Sequence, residues 1–180
     1  NDWAGKSDCR HIAVVTADGV RIDNFYVPAG GDIADPNENP KFAHKLQFIH
    51  EMTQYFLTNP PKRQILVGDL NIAPLATDVW SSKQLIKIVS HTPVETDALK
   101  KLIADGGWHD AVRGYFGADA KLYSWWSYRA RDWAASDRGR RLDHILVGHE
   151  LADAVKEVSI HRGLRSADKP SDHVPVVITI

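Results

Sequence analysis

The stretch Ile65-Leu66-Val67-Gly68-Asp69-Leu70-Asn71 constrains this 180-residue chain more than any other. Ile65 to Val67 reads as a buried strand that runs into Gly68 and then presents Asp69 and Asn71. Side chains alternate along an extended segment, so Asp69 and Asn71, two apart, are expected on one side. A carboxylate beside a carboxamide at the carboxyl end of an apolar strand is where α/β sheets place ligand chemistry. A plain strand end followed by a turn would account for Gly68 and Pro74. It would not account for Arg141-Leu142-Asp143-His144 or for Lys169-Pro170-Ser171-Asp172-His173-Val174-Pro175.

The length suits one domain with a real core. A formal net charge of −1 means that any nucleic-acid contact needs a local basic face. The single cysteine, Cys9, allows no internal disulfide, which fits a reducing compartment; cytoplasmic localisation is expected. No apolar run reaches the roughly 18 residues of a membrane helix, so no membrane partner is expected.

His11 to Val15 reads as a strand, Asp18-Gly19 as a hairpin turn, and Val20 to Val27 as the returning strand. Gly30 to Asn39 is a loop, and Pro40 opens a helix with apolar residues at Phe42, Leu46, Ile49, Met52 and Phe56, stopped by Asn59-Pro60-Pro61. Ile72 to His91 is irregular. A second helix is expected to start at Glu95 or Thr96 and to close at Gly106-Gly107. Ala130 to Arg140 reads as a charged surface loop; Leu142 to Val147, Val155 to Ile160 and Val174 to Ile180 read as strands. Hairpins beside helix-connected strands indicate an α/β fold with mixed sheets.

Asp143 lies in an otherwise apolar strand, and a buried aspartate needs a partner. If that partner is His173, the carboxylate would fix the imidazole tautomer, and Asp172 would be free to face a metal. No Gly-x-Ser-x-Gly elbow is present, which disfavours a serine hydrolase. No His-x-x-x-His or cysteine pair is present, which disfavours zinc. Oxygen-rich ligands suit Mg²⁺ or Mn²⁺, ions that act on phosphate esters.

Four ordered motifs carry a resemblance. They are Asn24-Phe25-Tyr26-Val27-Pro28, Gly68-Asp69-Leu70-Asn71-Ile72-Ala73, Ser124 to Arg129 with Arg141-Leu142-Asp143, and Ser171-Asp172-His173-Val174-Pro175. From about Ile12 onward the chain resembles the exonuclease III type of apurinic/apyrimidinic endonuclease, within the endonuclease/exonuclease/phosphatase superfamily. The resemblance implies two facing mixed β-sheets flanked by helices, a four-layer α/β sandwich. It implies hydrolysis of the DNA phosphodiester 5′ to an abasic site, with 3′-5′ exonuclease and 3′-phosphatase as further activities. The implied partner is double-stranded DNA with abasic sites or 3′ ends, and the complete protein would be a monomer. Implied catalytic residues are His173, Asp143, Asp69, Asn71 and Tyr26; Asp172, Asp69 and Asn71 would hold the metal. Trp125, Trp126, Arg129 and Arg141 would bind substrate, with Trp125 favoured for the pocket of a base-free sugar; Lys41, His44 and Lys45 would meet phosphates.

The family's first strands, one carrying an Asn and another a metal-binding Glu, have no counterpart before Ile12. Residues 1–180 are therefore expected to be the C-terminal part of a single domain, incomplete at the N-terminus, with weak metal binding and impaired cleavage. The competing readings are another phosphodiesterase or phosphatase of the superfamily, acting on a small or lipid phosphate ester, and a DNA-binding fragment without chemistry.

Overall fold

The computed structural model describes residues 2–180. Strands β1 (His11–Val15) and β2 (Arg21–Phe25) form the expected antiparallel hairpin. Helix α1 (Pro40–Thr58) starts with Pro40 in its first turn and with Asn39 as its cap, whose side chain accepts from Lys41 N. It leads to β3 (Gln64–Asp69), which joins β2 in parallel. The segment expected to be irregular carries the short helix α2 (Ser82–Leu85).

Helix α3 (Pro93–Asp105) begins two residues before the earlier of its two expected starts. Pro93 occupies the first turn, and Glu95 reaches back to the N–H of Thr92 at 3.2 Å, closing a capping box. Strand β4 (Trp108–Asp110) runs directly into α4 (Ala111–Phe116). Strand β5 (Trp125–Trp126) is next, followed by the short helix α5 (Trp133–Ser136) and β6 (Gly139–Arg140). The region expected to be a plain charged loop thus holds a capped helical turn and a strand, because Asp132 accepts from Ala135 N and β6 pairs with β5. Strands β7 (Asp143–Gly148), β8 (Glu157–Ile160) and β9 (Val176–Thr179) complete the chain.

The main sheet is mixed, in the order β1-β2-β3-β7-β4. Helices α1 and α3 cover one face, where Phe48, Ile49, Met52, Phe56, Leu99 and Leu102 bury against Phe25, Leu66, Leu70 and Leu146. The other face presents Ile65, Ile145 and Val147 to Val176 and Ile178 of the β8–β9 ladder. The expected two facing sheets are present, the second being a two-stranded ladder. Edge strand β1 leaves Ile12 65% and Val14 53% exposed.

One register sets up the site. Antiparallel pairing of β3 with β7 puts Asp69 opposite Asp143, so the last residue of one strand faces the first of the other.

Candidate active site

Ser124, fully buried, fixes Asp143: its Oγ accepts from the N–H groups of both Leu142 and Asp143, each at 3.1 Å. The segment Ser124–Trp126 also pairs with the last motif, through Val174 N to Ser124 O at 2.8 Å and Trp126 N to Asp172 O at 2.9 Å. This delivers His173 to Asp143. Its Nδ1 lies 2.8 Å from Asp143 Oδ2, and its Nε2 lies 3.9 Å from Asp69 Oδ2.

Asp69 and Asn71 meet, but not by strand alternation. The extended run ends at Asp69, and Asn71 adopts a left-handed conformation with φ +53°. Asp69 Oδ1 accepts from Asn71 N at 2.9 Å and Oδ2 accepts from Asn71 Nδ2 at 3.0 Å. The same Nδ2 donates to Val27 O at 2.9 Å. Both partners are acceptors, so the amide orientation is determined, and the side-chain oxygen Asn71 Oδ1 remains to receive a water proton or a cation.

Gly68 makes this geometry possible. At φ +134° it passes so close to β2 that a Cβ would stand 2.0 Å from Phe25 O.

Burial and the facing charge of Asp143 raise the Asp69 carboxyl to about 6, against the pull of His173, the Asn71 N–H and Lys45. For His173, desolvation opposes the imidazolium, but the hydrogen bond to Asp143 and the charges of Asp143, Asp69 and Asp172 outweigh it and raise the pKa. The neighbouring His144 behaves differently: full burial pushes it down to about 4, and its Nε2 meets Ile72 O at 2.8 Å. His173 is therefore the imidazole suited to meet an anion.

Asp69, Asp143 and His173 each offer a ligand atom within 4.8 Å of the others, an acidic group able to receive a metal ion. The two carboxylates suit a hard cation, and the imidazole is already tied to Asp143 through Nδ1. Asp172, expected on the metal side, is not in this group; its Oδ2 accepts the indole N–H of Trp125 at 3.0 Å.

His173 and Asn71 border an open cleft of about 640 Å³, lined also by Trp80, Trp125, Arg129, Arg138, Arg140 and Leu142. Trp125 faces this cleft, whereas Trp126 is 2% exposed and packs with Tyr123 and Val174 in the core. Arg129 lines the cleft, but Arg141 does not reach it. Arg141 is 1% exposed, with Nε 2.5 Å from Asp78 Oδ1 and Nη2 2.8 Å from Asp110 Oδ2, so it braces the core behind the cleft. Lys45 is fully buried as well and cannot meet a phosphate at the surface. Tyr26 is half-exposed and lines an adjoining depression with Lys6, Arg10, Lys41 and His44, which shares Ala29 and Gly31 with the cleft. Ser124 and Trp80 were not singled out as site residues from the sequence. Trp80 enters through its N–H to Gly139 O at 3.1 Å and carries the Arg138 guanidinium 4.7 Å above its ring. It lies in a stretch without periodicity, which left no local signal for it.

Residues 5–173 match the endonuclease/exonuclease/phosphatase family. The chain belongs to that family. Within it, the chain is 31% identical over 163 residues to exodeoxyribonuclease III of Haemophilus influenzae, covering 86% of this chain and 59% of that protein. In structure it is similar to an AP endonuclease from Archaeoglobus fulgidus, with a TM-score of 0.86, 29% identity, and 95% of this chain against 65% of that one. It is likewise similar to a 3′ phosphatase from Neisseria bound to a product DNA hairpin, with a TM-score of 0.84, 31% identity, and 95% against 64% coverage. The chain spans about three fifths of the length of these relatives. No helix among the described residues is long and apolar enough to cross a membrane.

Proposed function

We propose that this chain carries the catalytic cleft of a metal-dependent DNA phosphodiester hydrolase that cuts 5′ to abasic sites. Its relatives' names and the cleft's aromatic and arginine lining support DNA as the substrate. The single observation that carries the reading is the His173 ring, held at Nδ1 by Asp143 and directing Nε2 toward Asp69 at the mouth of that cleft.

In this reading the protonated Nε2 of His173 donates to a non-bridging oxygen of the scissile phosphate and stabilises the charge that develops there. Asp69 takes the proton of the attacking water, and the side-chain oxygen Asn71 Oδ1 orients that water. Asp69 and Asp143 would hold Mg²⁺ or Mn²⁺, which would supply Lewis-acid stabilisation of the phosphoryl oxygens. A set of two carboxylates leaves most of the octahedral shell of Mg²⁺ to water and substrate, so we propose weak metal binding by this chain. Trp125 walls the sugar pocket, Arg129 and Arg138 contact phosphates, and Tyr26 with Lys41 and His44 continues the path along the backbone. Exonucleolytic 3′-5′ cutting and removal of a 3′-phosphate fit the same chemistry.

The test is incision of a labelled duplex bearing one abasic site, with Mg²⁺ and with a chelator. A chelator-sensitive cut on the 5′ side supports the reading. Salt-dependent binding of that duplex without any cut would replace it with DNA binding alone. Hydrolysis of a small or lipid phosphate ester without action on DNA would move the protein to another branch of the family.

A further inference from the structure

Lys45 is fully buried on α1, at 0% side-chain exposure, and all three of its ammonium protons have partners. Nζ lies 2.5 Å from Glu95 Oε1, 2.8 Å from Asn71 O and 3.2 Å from Ala29 O. Glu95 is fully buried too, and its carboxylate already accepts from Ser90 N and from the N–H and hydroxyl of Thr92. The lysine stem crosses the core beside Gly30, where a Cβ would come within 2.9 Å of Lys45 Cδ.

Stability alone does not explain this arrangement. Burying an ammonium costs several kcal/mol in desolvation, and apolar side chains of similar volume replace buried ion pairs at little or no loss. What the ammonium supplies, and a methionine could not, is a donor to the carbonyl of Asn71. That residue holds a left-handed conformation (φ +53°), and its backbone and side-chain N–H groups grip both oxygens of Asp69. The sheet pins the Asp69 end of this turn, and Lys45 pins the Asn71 end.

We propose that Lys45 is a positioning residue: from beneath the cleft it locks the Asn71 turn and so aims Asp69 and the Asn71 carboxamide oxygen at the reacting phosphate. Its relevance to cleavage rests on the function proposed above; its action on the turn does not.

Two variants separate this role from simple core stability. Glu95→Gln removes one charge of the pair yet leaves Lys45 bonded to Asn71 and Ala29. Lys45→Met with Glu95→Gln removes both charges and the donor. The primary readout is hydrogen exchange of the Asn71 backbone and side-chain amides in the full ¹⁵N-labelled chain, with melting temperature measured alongside. The double variant, with no buried charge left unpaired, is expected to melt at or above Glu95→Gln while its Asn71 protons exchange at least about 10-fold faster. Equal Asn71 exchange in the two variants overturns the proposal. In any preparation that cuts abasic duplex, the double variant is expected to lose kcat by about 10-fold relative to Glu95→Gln at unchanged KM. An unchanged kcat there overturns the catalytic part. If even the unmodified chain cuts nothing, the functional reading is the one in question, and the exchange data still decide the turn.

Discussion

The indole N–H of Trp125 donates to Asp172 Oδ2 at 3.0 Å, which ties a wall of the cleft to the segment that presents His173. This contact gives Asp172 a structural role that needs only an acceptor, apart from the charge with which it supports the imidazolium of His173. Asp172→Asn, whose carboxamide oxygen still accepts, is expected to keep abasic-duplex affinity within about 2-fold, whereas Asp172→Ala loses about 1 kcal/mol of it. Mn²⁺ titration should give the same affinity for both variants. A selective loss of Mn²⁺ binding in Asp172→Asn would return this residue to the metal.

His173 and Asp143 act as a unit. His173→Ala is expected to slow cleavage at least about 1,000-fold, and Asp143→Asn about 100-fold, because the imidazole loses the partner that fixes its tautomer and charge. Single-turnover kinetics of abasic-duplex incision check both values. Near-normal rates for His173→Ala would remove it from the chemistry.

Arg129 and Arg141, both expected from the sequence to bind substrate, should separate cleanly. Arg129→Ala is expected to lower the slope of log affinity against log salt by about 1 and to change stability by less than about 0.5 kcal/mol. Arg141→Met should do the reverse. It strips a fully buried partner from Asp78 and costs about 3 kcal/mol in urea unfolding, near the lower end for a broken buried pair because Arg113 still contacts Asp78.

The same pair sets an acid limit. Desolvation would raise the Asp78 carboxyl, but Arg141 and Arg113 outweigh it and hold its pKa below the usual 3.8. A depressed carboxylate contributes stability that is fully present above 3.8 and is lost as pH falls through the folded-state value. The urea midpoint should therefore drop below pH 3.8, and Asp78→Asn combined with Arg141→Met should flatten that drop. An unchanged acid limb in the double variant would assign it to other carboxylates.

How far the sequence reached can be followed residue by residue. The strand ending at Asp69, the helix opened by Pro40 and the β1–β2 hairpin are local events, set by alternation, helical spacing and turn chemistry, and they stand as expected. The His173–Asp143 pair was legible because an aspartate in an apolar strand demands a partner. Arg141 was misplaced because its partners, Asp78 and Asp110, lie 63 and 31 residues away, and nothing local shows that they converge. Lys45 was misplaced for the same reason: Glu95 and Asn71 reach it only through packing of α1, α3 and the β3 end. Asn71 follows the converse pattern, a correct pairing with Asp69 reached by a turn instead of a strand.

Gly68 has a consequence for how this site can change over generations. Because the carbonyl of Phe25 occupies the space where any side chain would begin, position 68 acts as a fixed stop between two strands. A saturation library there should return only glycine, even under weak selection. With that stop in place Asp69 keeps its register opposite Asp143, so retuning of the pocket wall and the substrate falls to cleft positions such as Trp80, Arg129 and Arg138 while the spacing of the two acidic groups stays constant.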